Sequence, residues 1–227
     1  ANACKKTLLL DVRPHGNATS VLCVHKHTLT GTTADVMMDI IALVDTSIPT
    51  NPQNLSLALA TPHLANTEVE LAQAERRFIR LRTAIENLEE YDIVIIDSLP
   101  SLSLLTVNGL IAAHYVLLPV QAEFYALEGL GQLLETMKLV RKSMNPTLEL
   151  LGVLPTMMDS RTTLSNQVLE EIKKHFPGKV FTHAIPRNIR LAEAPSHGVP
   201  VGAYDRFSKG SRAYKAVTKE VLERIDG

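Results

Sequence analysis

Two short apolar runs each end in an aspartate: LLLD, closing at Asp11, and IVIID, closing at Asp97. A strand ending in a carboxylate presents negative charge at the edge where open α/β sheets bind ligands, and a hydrated divalent cation is one ligand that suits it. A strand-terminal Asp serves equally well as a helix cap or turn former. Asp11 runs directly into VRPHGNATS, a Pro/Gly/Asn-rich turn, so the strand hands over at once to a polar loop. In that loop, two residues past the carboxylate, stands Arg13, a permanent cation in a setting suited to a metal or a base.

The other reactive side chains form weaker patterns. Among the eight histidines the spacing His25-x-His27 chelates weakly at best, and an incidental surface pair is the simpler reading. Cys4 and Cys23 have no metal-ligand spacing and read as reduced thiols of a cytosolic protein. No Ser/His/Asp or Cys/His arrangement can be argued, so no catalytic nucleophile is assigned.

Strands must position the two aspartates. Thr7 to Asp11, Ile93 to Asp97, Tyr115 to Val120, Leu148 to Leu154 and Val180 to Ile185 are mostly continuous apolar runs, the pattern of parallel strands covered on both faces. Between them, apolar residues recur at intervals of three and four. They run through Leu71, Ala74, Phe78, Leu81, Ile85 and Leu88, then Leu127, Leu130, Leu134, Met137 and Val140, then Leu164, Val168, Ile172 and Phe176, then Tyr214, Val217, Val221 and Ile225. Alternation of strand and helix predicts an α/β fold, a doubly wound, mainly parallel sheet with helices on both faces. Residues 46 to 66, carrying Pro49, Pro52 and Pro62, are expected as an irregular excursion across the surface. With 227 residues, 45% of them hydrophobic, the chain has ample core for one domain spanning 1–227. No apolar run approaches the roughly 18 residues of a membrane span.

The formal net charge is -1 and predicts neither nucleic acid nor membrane, but its distribution is uneven. Residues 1 to 150 hold 11 basic and 16 acidic side chains, and residues 151 to 227 hold 12 and 8. The C-terminal third can therefore face a polyanion, although two faces of one domain also differ in charge by chance. Arg161, Arg187, Arg190, Lys209 and Arg212 lie in that third. Few aromatics interleave with them, which favours duplex over single-stranded nucleic acid.

Taken together, LLLDVRPHGNATS, YDIVIIDSLPSLSLLTVNGLIAA, VLLPVQAEFYALEGLGQLLETMKLVRK, LELLGVLPTMMDSRTTLS and IPRNIRLAEAPSHGVPVGAYDRFSKGSRAY resemble the ParA/Soj family of chromosome and plasmid partition ATPases. The resemblance runs from about Leu8 to the C-terminus and is most specific in IPRNIRLAEAPSHG. It implies a P-loop NTPase-like fold, ATP and Mg as cofactors, and a homodimer that coats double-stranded DNA non-specifically. It also implies a centromere-binding, ParB/Spo0J-like partner that stimulates hydrolysis, and a cytoplasmic, nucleoid-associated location. Carried over residue by residue, it places Asp11 in the nucleotide site and has Asp97 hold magnesium through water. Ser98 to Ser101 become the γ-phosphate-sensing loop, and Pro186 and Asn188 contact adenine. Arg161, Arg187, Arg190, Lys209 and Arg212 become the DNA contacts.

Three departures qualify those implications. The family's first loop reads D-x-D-P-Q-G-N, and here the second aspartate, which orients the attacking water, is Arg13, while the glutamine is His15. Leu99 stands where the family has proline, and no G-x-x-x-x-G-K-[ST] occurs in the sequence. Hydrolysis is therefore expected to be crippled, and without a phosphate-cradling loop ATP binding is expected to be impaired. In the family the strand before that loop lies next to the strand ending in Asp97, so its absence is expected to expose two strand edges or force them together. These features suit either a truncated form of a larger product or a degenerate homologue. Two alternatives stay open: a nucleotide-independent pseudo-ATPase that retains DNA or partner contacts, and a MinD-like membrane-associated ATPase. The latter places a short amphipathic helix after the ATPase domain, whereas this sequence ends at Ile225-Asp226-Gly227, so no membrane binding is expected.

Overall fold

The computed structural model describes residues 3–22, 31–50, 53–99, 103–123 and 128–227. It forms two compact units, one of Ala1–Ala113 with Thr136–Thr147, the other of His114–Glu135 with Leu148–Gly227. The first unit runs β1 (Thr7–Asp11), α1 (Asn17–Val21), α2 (Thr33–Met37), α3 (Leu43–Thr46), β2 (Ser47–Pro49), β3 (Leu55–Ala58), α4 (Leu64–Leu71), α5 (Arg80–Glu86), β4 (Ile93–Asp97) and α6 (Leu104–Ala112). Its sheet has the order β2-β3-β1-β4, with β3, β1 and β4 parallel and β2 antiparallel to β3. The uniformly apolar β1 takes an interior place, where Leu8 and Leu10 are fully buried against Met37, Leu64, Leu71, Leu81 and Leu105. Its register pairs Leu8 with Val94 and Asp11 with Asp97, so two carboxylates emerge side by side at one end of the sheet.

The proline-rich stretch is more ordered than its composition suggests. β3 lies inside it and pairs along β1 from Thr7↔Leu55 to Leu10↔Ala58. Four residues between turn formers carry too little local signal to be read as a strand, and long-range pairing with β1 supplies what propensity does not. The helix expected from Leu71 to Leu88 is two helices, with α4 ending at Leu71 and α5 opening at Arg80. Arg76 between them adopts φ 55, which no helix tolerates. The apolar spacing survives the break because Ala74, Leu81, Ala84, Ile85 and Leu88 all face one core. Fully buried Asn108 of α6 holds the turn: its Nδ2 donates to Arg77 O at 2.7 Å and Leu104 O at 3.0 Å, and its Oδ1 accepts from Leu81 N at 3.4 Å.

The second unit contains β5 (Tyr115–Gln121), the start of α7 (Glu128–Ser143), β6 (Glu149–Thr156), α8 (Thr163–His175), α9 (Ile189–Glu193), α10 (Val201–Tyr204) and α11 (Lys209–Asp226). Parallel β5 and β6 bury Leu118, Val120 and Val153 with Val168, Ile172 and Phe176 of the α8 side, and Leu151, Leu154, Phe181, Ile185 and Val217 form a second cluster. The expected strand from Val180 to Ile185 is replaced by two isolated bridges, Val153↔Val180 and Met158↔Pro186. Phe181 N and Ile185 N donate to Val153 O and Pro155 O of β6, while side chains of α11 hold other backbone groups of the stretch: Arg224 donates to Val180 O, and Glu220 accepts from Thr182 N and His183 N. Among the described residues β4 closes one sheet and β5 the other, each as an edge strand, and Ile95 of β4 is 51% exposed. No helix among the described residues is long and apolar enough to cross a membrane.

Candidate functional site

Asp11 is completely buried, so its carboxylate must be compensated from within. Oδ2 accepts from Thr19 N at 3.2 Å and Thr19 Oγ1 at 3.3 Å, while Oδ1 accepts from Arg13 N at 3.1 Å. Thr19 Oγ1 also accepts from Ala60 N at 3.1 Å, which ties the loop after β1 to the end of β3. Thr19 went unremarked in the sequence, where a hydroxyl in GNATS looks like any loop residue. The turn is held by Gly16, whose N–H donates to Arg13 O. Gly16 has φ 57, and a Cβ there would lie 2.8 Å from Ala60 O, so only glycine fits.

This geometry folds Arg13 back over the two carboxylates. Its Nη2 stands 2.5 Å from Asp97 Oδ2 and its Nε 3.8 Å from Asp11 Oδ1. Nε is buried and has no hydrogen-bond partner, so its interaction with Asp11 is purely ionic. Burial raises the Asp97 carboxyl above its usual value, Arg13 opposes that rise, and the neighbouring Asp11 charge reinforces it. Magnesium demands near-octahedral oxygen ligands and keeps several waters. Here Asp97 is engaged by a guanidinium, both Asp11 oxygens accept hydrogen bonds, and a dication would sit beside a cation that cannot lose its proton. The arrangement does not fit the metal that the resemblance implies for Asp97.

Of the loop from Ser98 to Ser101, Ser98 and Leu99 are described, and Leu99 O accepts from Thr106 Oγ1 at 3.0 Å. Pro100 and Ser101 lie outside the described residues, as do Cys23, His25 and His27.

Asp11, Arg13 and Asp97 come together in the first unit, and the other candidates belong to the second. Pro186 bridges to Met158 just beyond β6, and Asn188 caps α9, with Oδ1 accepting from Arg190 N at 3.1 Å. Arg161 forms a two-point contact with Asp159, with Nε and Nη2 at 2.9 and 2.7 Å. Arg187 approaches Glu123 at 3.4 Å, and Arg190 meets Glu193 at 2.8 Å and Asp205 at 3.5 Å. Lys209 and Arg212 are exposed on the first turns of α11 and make no ion pair among the described residues. Exposed Lys215 continues the same interval of three, and Arg206 lies just before the helix.

A buried polar hub in the second unit was not legible beforehand. Glu220 accepts from Thr182 N at 2.8 Å, His183 N at 3.1 Å and Arg224 Nη2 at 2.9 Å, with His183 Nδ1 at 2.9 Å. Burial alone would raise its carboxyl, but these partners override it and hold the group at about 2. In the sequence Glu220 and Arg224 stand four residues apart on a helix, a spacing shared by ordinary surface pairs.

The AAA domain family model matches residues 1–150. The chain is 47% identical to sporulation initiation inhibitor protein Soj of Bacillus subtilis (strain 168) over 218 residues, covering 96% of this chain and 86% of that protein. It is 44% identical to chromosome partitioning protein ParA of Myxococcus xanthus (strain DK1622) over 225 residues, covering 99% and 80%. The crystal structure of cobyrinic acid a,c-diamide synthase from Mycobacterium smegmatis with bound ATP analog and magnesium is similar at TM-score 0.85 and 32% identity, over 100% of this chain and 85% of that one. Identity at this level over nearly the whole sequence joins the parallel α/β architecture and the strand-terminal aspartates, and the chain belongs to the ParA/Soj family of partition ATPases.

Proposed function

We propose that this chain is a chromosome- or plasmid-partition protein that binds duplex DNA non-specifically through the cationic side chains of its second unit. It works as an ATP-regulated homodimer, on the nucleoid, with a ParB/Spo0J-like partner, and its ATP binding and hydrolysis are weakened rather than abolished. Chromosome partitioning is the activity in the name of the Myxococcus xanthus relative. The observation that carries DNA binding is the row of exposed cations Lys209, Arg212 and Lys215 along one helix. Arg161, Arg187 and Arg190 add charge, and their pairs with carboxylates are solvent-exposed and weak, so phosphate oxygens can replace those partners.

The impairment of hydrolysis rests on Arg13. A guanidinium can neither accept a proton nor hold a nucleophilic water as a carboxylate does. Any adenine contact falls to Pro186 and Asn188. The closed Asp11–Arg13–Asp97 arrangement also favours a second reading, a DNA- and partner-binding module indifferent to nucleotide.

Duplex binding by fluorescence anisotropy, with and without ATP, tests both readings. Combined Arg187→Glu and Arg190→Glu substitution is expected to abolish affinity, and unchanged binding there together with unchanged binding by Lys209→Glu and Arg212→Glu would overturn the assignment of this surface. ATP-independent affinity favours the second reading, and affinity that rises with ATP favours the first.

A further inference from the structure

We infer that Arg13 is the built-in countercation of the Asp11–Asp97 pair, and that this end of the sheet takes no divalent metal while the arginine is present. The backbone fixes the two carboxylates as neighbours: the β1–β4 ladder pairs Asp11 with Asp97, and Val12 N donates to Asp97 O at 3.0 Å. A carboxylate with no exposure beside a second, partly buried one needs positive charge. That charge comes from two residues along the same loop. Arg13 N binds Asp11 Oδ1, and the side chain then crosses to Asp97 with only 22% of its surface exposed.

Thr19 supplies a second, independent constraint. Its amide and hydroxyl engage the other Asp11 oxygen, so both oxygens already hold protein donors and the carboxylate has no exposed face to offer a hydrated ion. The dication that two aspartates suggest is thus replaced by a monocation that never dissociates and needs no metal supply. The inference is independent of the DNA reading and stands or falls on metal affinity.

The test is a manganese titration of the full 227-residue chain, read by the loss of the free-ion electron paramagnetic resonance signal, on wild type, Asp97→Asn, Arg13→Ala and Arg13→Asp, with circular dichroism confirming folding of each. Wild type is expected to bind manganese no more tightly than Asp97→Asn. Arg13→Asp is expected to bind at least about tenfold more tightly, because a third carboxylate replaces the cation, and adding Asp97→Asn to it removes the gain. Saturable wild-type binding that Asp97→Asn abolishes would overturn the inference, since it requires the guanidinium to swing aside. Failure of both Arg13→Ala and Arg13→Asp to gain affinity while folded would also overturn it, because Arg13 would then not be what excludes the metal. If Arg13→Asp does not fold, the comparison of wild type with Asp97→Asn still decides the question.

Discussion

Arg13 Nη2 lies 2.5 Å from Asp97 Oδ2, while the Asp11 carboxylate that shares the ladder position with Asp97 accepts the Arg13 backbone N–H. One residue thus satisfies two acids by two different groups, and the loop after β1 is locked by the charge it carries.

That loop depends equally on Gly16. Gly16→Ala is expected to lower stability by about 2 kcal/mol, the sum of a left-handed conformation and a Cβ crowding Ala60 O. Urea unfolding monitored by circular dichroism measures it, and a change below about 0.5 kcal/mol would contradict the crowding.

Glu220 makes stability depend on acid. Its carboxyl titrates at about 2 in the folded chain, below the ordinary 4.5, so the folded state binds its proton less readily than the unfolded state does. Its stabilisation, at most about 3 kcal/mol, is fully present above the unfolded value and is lost as pH falls from about 4.5 towards 2. Glu220→Gln should flatten the pH dependence of unfolding over that window, and an unaltered profile would mean that other acids control it.

Asn108 predicts a buried polar failure. Asn108→Leu removes two donors to Arg77 O and Leu104 O and the acceptor for Leu81 N, which unties the turn from α6 and leaves Leu81 N without this partner. A loss of about 3 kcal/mol is expected, with amide exchange quickening first in the turn around Arg76. Uniformly distributed exchange would show that the turn does not depend on this side chain.

For DNA, the double substitution Lys209→Ala and Arg212→Ala should weaken binding to duplexes of any sequence equally. It should reduce the slope of log affinity against log salt by up to about 1.8, since each phosphate contact contributes about 0.9. An unchanged slope would remove the start of α11 from the interface.

Local pattern was enough for β1, β4, the long helices α7, α8 and α11, and the membership in a family carried by IPRNIRLAEAPSHG. These have continuous apolar runs or sustained three-and-four spacing, and both are properties of neighbouring residues. The same local reading lost β3 inside the proline-rich stretch, joined α4 to α5 across Arg76, and drew a strand from Val180 to Ile185. Each of those depends on a distant partner: β1 for the first, Asn108 for the second, Glu220 and Arg224 for the third.

The candidate site divides along the same line. By itself the sequence determined that two strands end in aspartate and that an arginine stands two residues beyond the first. Only the tertiary structure decided that Arg13 turns back onto both, because the register that sets Asp11 beside Asp97 joins positions 86 residues apart. Charge compensation in a buried site is a matter of distance in space, and no spacing along the chain encodes it.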